Sequence, residues 1–187
     1  NLDIFEDMLS KNIKLDYRQQ YYYARELMYN REYEKAINNL TLFIKEDGAW
    51  IENKINACLD LANCYLQINK EDMYLPSLFK SFEFDTPRAE ICTTIGLYFL
   101  SKSKYNLAIY WLKLSTQIAP NLKSGAFVLL DYYNFIPYIN LCVCYDRLGN
   151  LKKAYEYNEL AGKFKPESKE YINNKKYFEK ALTNLVQ

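Results

Sequence analysis

Residues 137–166 read PYINLCVCYDRLGNLKKAYEYNELAGKFKP, and the spacing of small and large side chains in this stretch decides the fold. Two apolar-periodic segments flank Gly149 and Asn150, a pair suited to the turn between antiparallel helices. Pro137 suits the first turn of a helix, where its missing N–H has no intrahelical partner in any case. Numbered as a unit of about 34 residues, the first helix carries Tyr138 at position 4, Leu141 at 7, Cys142 at 8 and Tyr145 at 11. The second carries Ala154 at 20, Asn158 at 24, Ala161 at 27 and Pro166 at 32. Small side chains at 8, 20 and 27 let the helices approach closely, while large ones at 4, 7, 11 and 24 fill the seam. Asn158 is the one departure.

The same pattern recurs upstream. In residues 17–47, Tyr23, Ala24 and Leu27 take positions 7, 8 and 11, and Tyr33, Ala36 and Leu40 take 17, 20 and 24, with Phe43 where a small residue is usual. Residues 50–84 place Leu61, Ala62 and Tyr65 at 7, 8 and 11; Pro76 requires the second helix there to begin near Met73 or Tyr74. Residues 87–120 fit best, with Gly96 at 8, Ala108 at 20, Leu112 at 24 and Ser115 at 27. Such hairpins resemble tetratricopeptide (TPR) repeats. The resemblance implies an all-α chain: a right-handed superhelix of antiparallel helix pairs closed by capping helices at both ends.

The caps are residues 1–13 and 168–186. The first places Leu2, Ile4, Phe5, Met8 and Leu9 on one face, as a lid or the last element of a connector. The last carries Tyr171, Ile172, Tyr177, Phe178, Ala181, Leu182 and Leu185 as its buried stripe, with 173–176 on the wet side. Together the elements form a single domain over 1–187. Measured between residues at position 8, the repeats step from Ala24 to Ala62 (38 residues), to Gly96 (34) and to Cys142 (46), so the last step holds 12 more than 34. The surplus falls in 121–136, too apolar at 127–130, Tyr132, Tyr133 and Phe135 for a solvated loop. This insertion is expected to lengthen the flanking helices or to fold back over the groove as a plug.

Composition narrows the function. With 24 basic against 23 acidic residues, net charge +1, no global field recruits a polyanion, which argues against nucleic acid. The chain has no histidine, which removes the commonest general base and every His-containing metal site. Five cysteines form no C-x-x-C pair and read as small buried hydrophobes in a reducing compartment. The 19 tyrosines suit helices buried on one side and wet on the other. No apolar run approaches the roughly 18 residues of a membrane span, and the opening NLDIFEDML lacks the order of a signal peptide, so a soluble, cytoplasmic protein is expected. A chain beginning on Asn reads as a piece of something longer, processing or another start being the alternatives.

The succession YYYAREL, LANCY, PRAEICTTIGLYFLSKSKYNLAIYWLKLS, FVLLDYYNFIPYINLCVCYDRLGNLKKAYEYN and NNKKYFEKAL resembles the C-terminal TPR region of bacterial family 2 glycosyltransferases. Its most specific piece lies between Asp131 and Tyr145. The resemblance implies that chemistry belongs to an N-terminal nucleotide-sugar domain with a D-x-D metal motif. Neither that motif nor a glycine-rich phosphate loop occurs here, so no catalytic residue, metal or cofactor is expected within this chain. The partners expected are a protein or peptide, namely an acceptor protein or the parent's catalytic domain, with self-association the remaining role. A free-standing adaptor is the alternative.

In a TPR stack the first helix of each hairpin lines the concave side. That geometry selects Arg18, Tyr21, Arg25 and Tyr29; Asn56, Asn63 and Gln67; Glu90, Thr93 and Leu97; and Asn140, Val143, Asp146 and Arg147. Arg25 and Asn63 together offer a fork of donors and an amide, which suits a peptide backbone or a carboxylate.

Overall fold

The computed structural model describes residues 1–184, and every regular element among them is helical. Leu185 therefore lies outside the described residues. The backbone divides into two compact units, Asn1–Thr86 and Pro87–Gln187.

In the first unit α1 (Leu2–Ser10) precedes the hairpin α2 (Tyr17–Tyr29) and α3 (Tyr33–Ile44), followed by α4 (Ile51–Gln67) and α5 (Tyr74–Lys80). Helix α2 starts from a capping box: Gln19 N–H donates to Asp16 Oδ1 at 2.7 Å and Asp16 N–H to Gln19 Oε1 at 2.9 Å. Ala24, Leu27, Ala36 and Leu40 are fully buried where the two helices meet. Phe43, the large residue at a small position, is also buried, and Tyr21 stacks on it with ring centroids 5.4 Å apart. Helix α5 begins at Tyr74, leaving Pro76 in the opening turn, as its missing N–H demands.

Helix α1 lies on α2 through Leu2 and the Phe5–Tyr23 ring pair, 5.8 Å apart. The expected face is only partly right, because Ile4 is 63% exposed while Leu2, Phe5 and Met8 are half-buried. Two positions along a helix are rotated by about 200°, so Ile4 cannot share the stripe of Leu2.

The second unit contains α6 (Ala89–Ser101), α7 (Tyr105–Gln117), α8 (Phe135–Arg147), α9 (Leu151–Gly162) and α10 (Lys169–Asn184). Gly96 earns its place at the α6–α7 seam, where an added Cβ would lie 2.7 Å from Leu112 Cγ. Ala108, Leu112, Ser115, Leu141, Ala154 and Ala161 are fully buried, matching the register read from the sequence. Asn158 is buried too, and its amide donates to the Tyr171 carbonyl at 3.2 Å. The departure thus ties α9 to the start of α10. Along α10, Phe178 is buried and Tyr171, Asn174, Lys175, Ala181 and Leu182 are half-buried. Ile172 and Tyr177, expected in the stripe, are exposed because the buried residues recur every three or four positions from Tyr171.

Each hairpin closes the same way. Arg31, Asn69, Ser103 and Gly149 adopt left-handed backbone with φ of 65°, 58°, 56° and 75°. The following N–H reaches back five residues in every case: Glu32 to Leu27, Lys70 to Tyr65, Lys104 to Phe99 and Asn150 to Tyr145, each at 2.9 Å. These are Schellman closures, which satisfy carbonyls that the helix end leaves free.

The insertion does not extend α7, which stops at Gln117, and adds only Phe135 and Ile136 to α8. Between them the chain is irregular apart from a 3-10 turn at Leu130–Tyr133. That turn packs on α6, α7 and α8, in keeping with the expected fold-back. The apolar run itself is less buried than expected: Phe127 is 95% and Leu129 and Leu130 each 49% exposed, whereas Tyr133 and Phe135 are buried.

Candidate functional site

Helices α2 and α4, the first helices of their hairpins, pack side by side in the first unit. Each presents a row with 4-3-4 spacing, the repeat that keeps side chains on one helical face. The α2 row is Arg18, Tyr22, Arg25 and Tyr29; the α4 row is Asn56, Asp60, Asn63 and Gln67. Arg18, Tyr22, Tyr29, Asn56, Asn63 and Gln67 are exposed. Exposed amides on α4 and exposed tyrosines and a guanidinium group on α2 thus lie on neighbouring helices, joined through Asp60 and Arg25.

Arg25 sits at the centre, where its guanidinium carbon lies 5.6 Å from the Tyr21 ring centroid and 5.3 Å from that of Tyr29. It also donates to the Tyr29 hydroxyl. Asp60 approaches Arg25 Nε at 3.6 Å and accepts a 3.0 Å hydrogen bond from the Tyr21 hydroxyl. Burial raises the Asp60 pKa, with the Arg25 charge and the Tyr21 hydrogen bond opposing it. The Tyr21 hydroxyl is pushed up as well, chiefly by burial and then by Asp60.

Sequence reasoning placed Tyr21 in the groove, and the structure corrects this: it is 3% exposed, drawn inward over Phe43. It also missed Tyr22 and Asp60, although the 4-3-4 spacing from Arg18 and from Asn56 could have found both. The Arg25 and Asn63 pairing is replaced in part, since Asp60 from the same α4 face already engages Arg25. Beside the α2 row, a cleft of about 310 Å³ between α1 and α2 is lined by Ile4, Phe5, Arg18, Tyr22 and Glu26 among others. Arg18 lies 5.6 Å over the Tyr22 ring at its edge.

In the second unit the corresponding helix faces differ. Thr93, expected to be accessible, is fully buried and its hydroxyl donates to the Tyr132 carbonyl at 2.9 Å. The insertion covers it. Glu90 and Leu97 are half-buried. On α8, Asn140 is half-buried with its amide on the Ile136 carbonyl at 2.8 Å, Val143 and Asp146 are half-buried, and Arg147 is exposed at the helix end.

Among the described residues no group of three or more His, Cys, Asp or Glu side chains could hold a metal ion, and no helix is long and apolar enough to cross a membrane. Cys58, Cys64, Cys92 and Cys142 are buried thiols pushed up to about 12, and Cys144 to about 11, in each case by burial. Such thiols are poor nucleophiles.

No family model matches the chain, and no curated protein sequence matches it. Solved structures do. A crystal form of MamA AMB-1 is 19% identical, with a TM-score of 0.60, and the match covers 90% of this chain and 85% of that one. A second MamA structure is 17% identical with a TM-score of 0.62, covering 87% and 79%. The C-terminal part of a TPR repeat-containing protein from Cytophaga hutchinsonii is 15% identical with a TM-score of 0.66, covering 88% of this chain and 58% of that one. The fold is that of TPR-type helical hairpins, and at these identities the likeness speaks for the fold alone.

Proposed function

We propose that this chain is a noncatalytic TPR interaction module that holds a protein or peptide partner on the α2–α4 face. The observation that carries the reading is the row of exposed amides at Asn56, Asn63 and Gln67 beside Tyr22, Arg25 and Tyr29. Amides both donate and accept, which suits an extended peptide backbone, and tyrosine supplies contact area at low entropic cost. The TPR-type neighbours support the same reading.

The resemblance to family 2 glycosyltransferases supports a finer proposal. The module would be the C-terminal domain of such a bacterial, cytoplasmic enzyme, and its partner an acceptor protein or the parent's catalytic domain. It would need no cofactor of its own. Calorimetric titration with nucleotide sugars should then give no binding heat, and binding would overturn the division of labour. Reading the coding sequence upstream of Asn1 separates this from a free-standing adaptor. The face itself is tested by selecting ligands for the chain from a displayed peptide library. Asn63→Ala with Gln67→Ala should weaken the selected ligand at least about tenfold, roughly 1.4 kcal/mol, while Lys152→Ala on α9 leaves it unchanged. Failure to select any ligand, or equal loss in both variants, rejects the face.

A further inference from the structure

The second unit holds a peptide segment already. Glu90 accepts two hydrogen bonds from the insertion, from the Leu129 N–H at 3.2 Å and from the Tyr133 hydroxyl at 2.9 Å. Thr93 donates to the Tyr132 carbonyl. Lys165, just beyond α9, pairs with the Asp131 carboxylate. A backbone donor, a backbone acceptor, a carboxylate and a phenol are thus each met by a side chain of the helical scaffold. Two of the three scaffold residues, Glu90 and Thr93, stand on the first helix of a hairpin.

None of these bonds requires the segment to be continuous with the scaffold. Residues 121–128 tether it loosely: the hydrogen bonds of Asn121 and Ser124 stay within the loop, Phe127 is 95% exposed, and nothing lies within 4 Å of a Cβ built on Gly125. Connections between packed helices are usually about 2–8 residues long, and that joining the α6–α7 hairpin to the α8–α9 hairpin is longer, from 118 to 134. Packing two helices does not need that length.

We propose that Glu90, Thr93 and Lys165 form a peptide-recognition site of their own, whose ligand is a short segment in a 3-10 turn with a carboxylate and, two residues on, a hydroxyl-bearing aromatic. Residues 129–133 are its resident ligand, displaceable by such a segment from another chain. The site does not depend on the α2–α4 face being a binding surface. A tethered ligand acts at an effective concentration in the millimolar range, so an outside peptide competes poorly until the resident one is weakened.

The test is fluorescence anisotropy with a labelled peptide of sequence VLLDYYN, residues 128–134. The full chain is compared with Leu129→Pro plus Asp131→Lys, which removes the N–H donor and places like charges at Lys165 without altering the scaffold. The double variant should bind the peptide at least tenfold more tightly than wild type. A peptide with Lys in place of Asp should bind at least tenfold more weakly, and adding Glu90→Ala with Thr93→Val should abolish binding. Asn63→Ala should change nothing, which separates this site from the other face. A folded double variant that binds no better than wild type, or binding that survives Glu90→Ala with Thr93→Val, overturns the proposal. Hydrogen exchange on the wild type gives a second measure: the Leu129 amide should exchange well before α6 and α8 amides, and exchange only through global unfolding also overturns it.

Discussion

Leu112 closes on Gly96 so tightly that a side chain at the glycine would have to displace it: an added Cβ would stand 2.7 Å from Leu112 Cγ and 3.3 Å from its backbone nitrogen. Overfilling a close-packed seam costs about 1–3 kcal/mol. Gly96→Leu should fall at the upper end of that range by urea denaturation, and Ala154→Leu within it, Ala154 being fully buried. A neutral outcome at either position would mean that the hairpins pack in another register.

The Asp60 carboxylate has a folded pKa raised above its unfolded value. The stability it contributes is therefore complete below the unfolded pKa and falls as pH rises through the folded one. Asp60→Asn keeps an acceptor for the Tyr21 hydroxyl but cannot ionise. The variant should compare more favourably with wild type at pH 7 than at pH 4, read from denaturation midpoints at both pH values. The opposite slope would show that Arg25 outweighs burial.

Ser103 and Arg31 hold left-handed backbone at φ of 56° and 65°. A side chain in that region costs about 1–2 kcal/mol, which glycine avoids at the expense of unfolded-state entropy. Ser103→Gly and Arg31→Gly should each raise stability by about 0.5–1 kcal/mol. Gly149→Ala, at φ 75°, should lower it by about 1 kcal/mol. Thermal midpoints check all three.

All five cysteines are buried with thiol pKa values pushed up to about 11 or 12. Native protein at pH 8 should react with an aromatic disulfide reagent only as fast as it opens, and all five thiols should react at once in denaturant. Folded pKa values above the unfolded ones also mean that stability declines as pH rises from about 9 toward 12.

Two residues of the insertion should behave oppositely. Phe127→Ser ought to leave stability within about 0.5 kcal/mol, because Phe127 is 95% exposed. Tyr133→Ala removes a buried ring and the hydrogen bond to Glu90, and should cost about 3 kcal/mol.

These contrasts show what the amino-acid order discloses. Gly96, Ala108, Leu112 and Ala154 sit where the repeat pattern puts them, because a close helix seam imposes the same demand on every hairpin. Pro76 located the start of α5 by itself, through a missing donor. Tyr21 and Thr93 were misplaced because their burial depends on partners distant in sequence, Phe43 22 residues away and Tyr132 39 away. Asp60 escaped notice although its spacing from Asn56 was visible, since a carboxylate on a polar helix face looks like ordinary solvated charge until Arg25 and Tyr21 close over it.

Because Asp60 supplies the countercharge of Arg25 from within, the α2–α4 face projects little long-range field at its centre. Ligand capture there would consequently proceed without electrostatic steering, and raising the ionic strength from low to physiological should alter its affinity only slightly. Discrimination would rest on shape and on the direction of amide hydrogen bonds, the contacts that salt screens least.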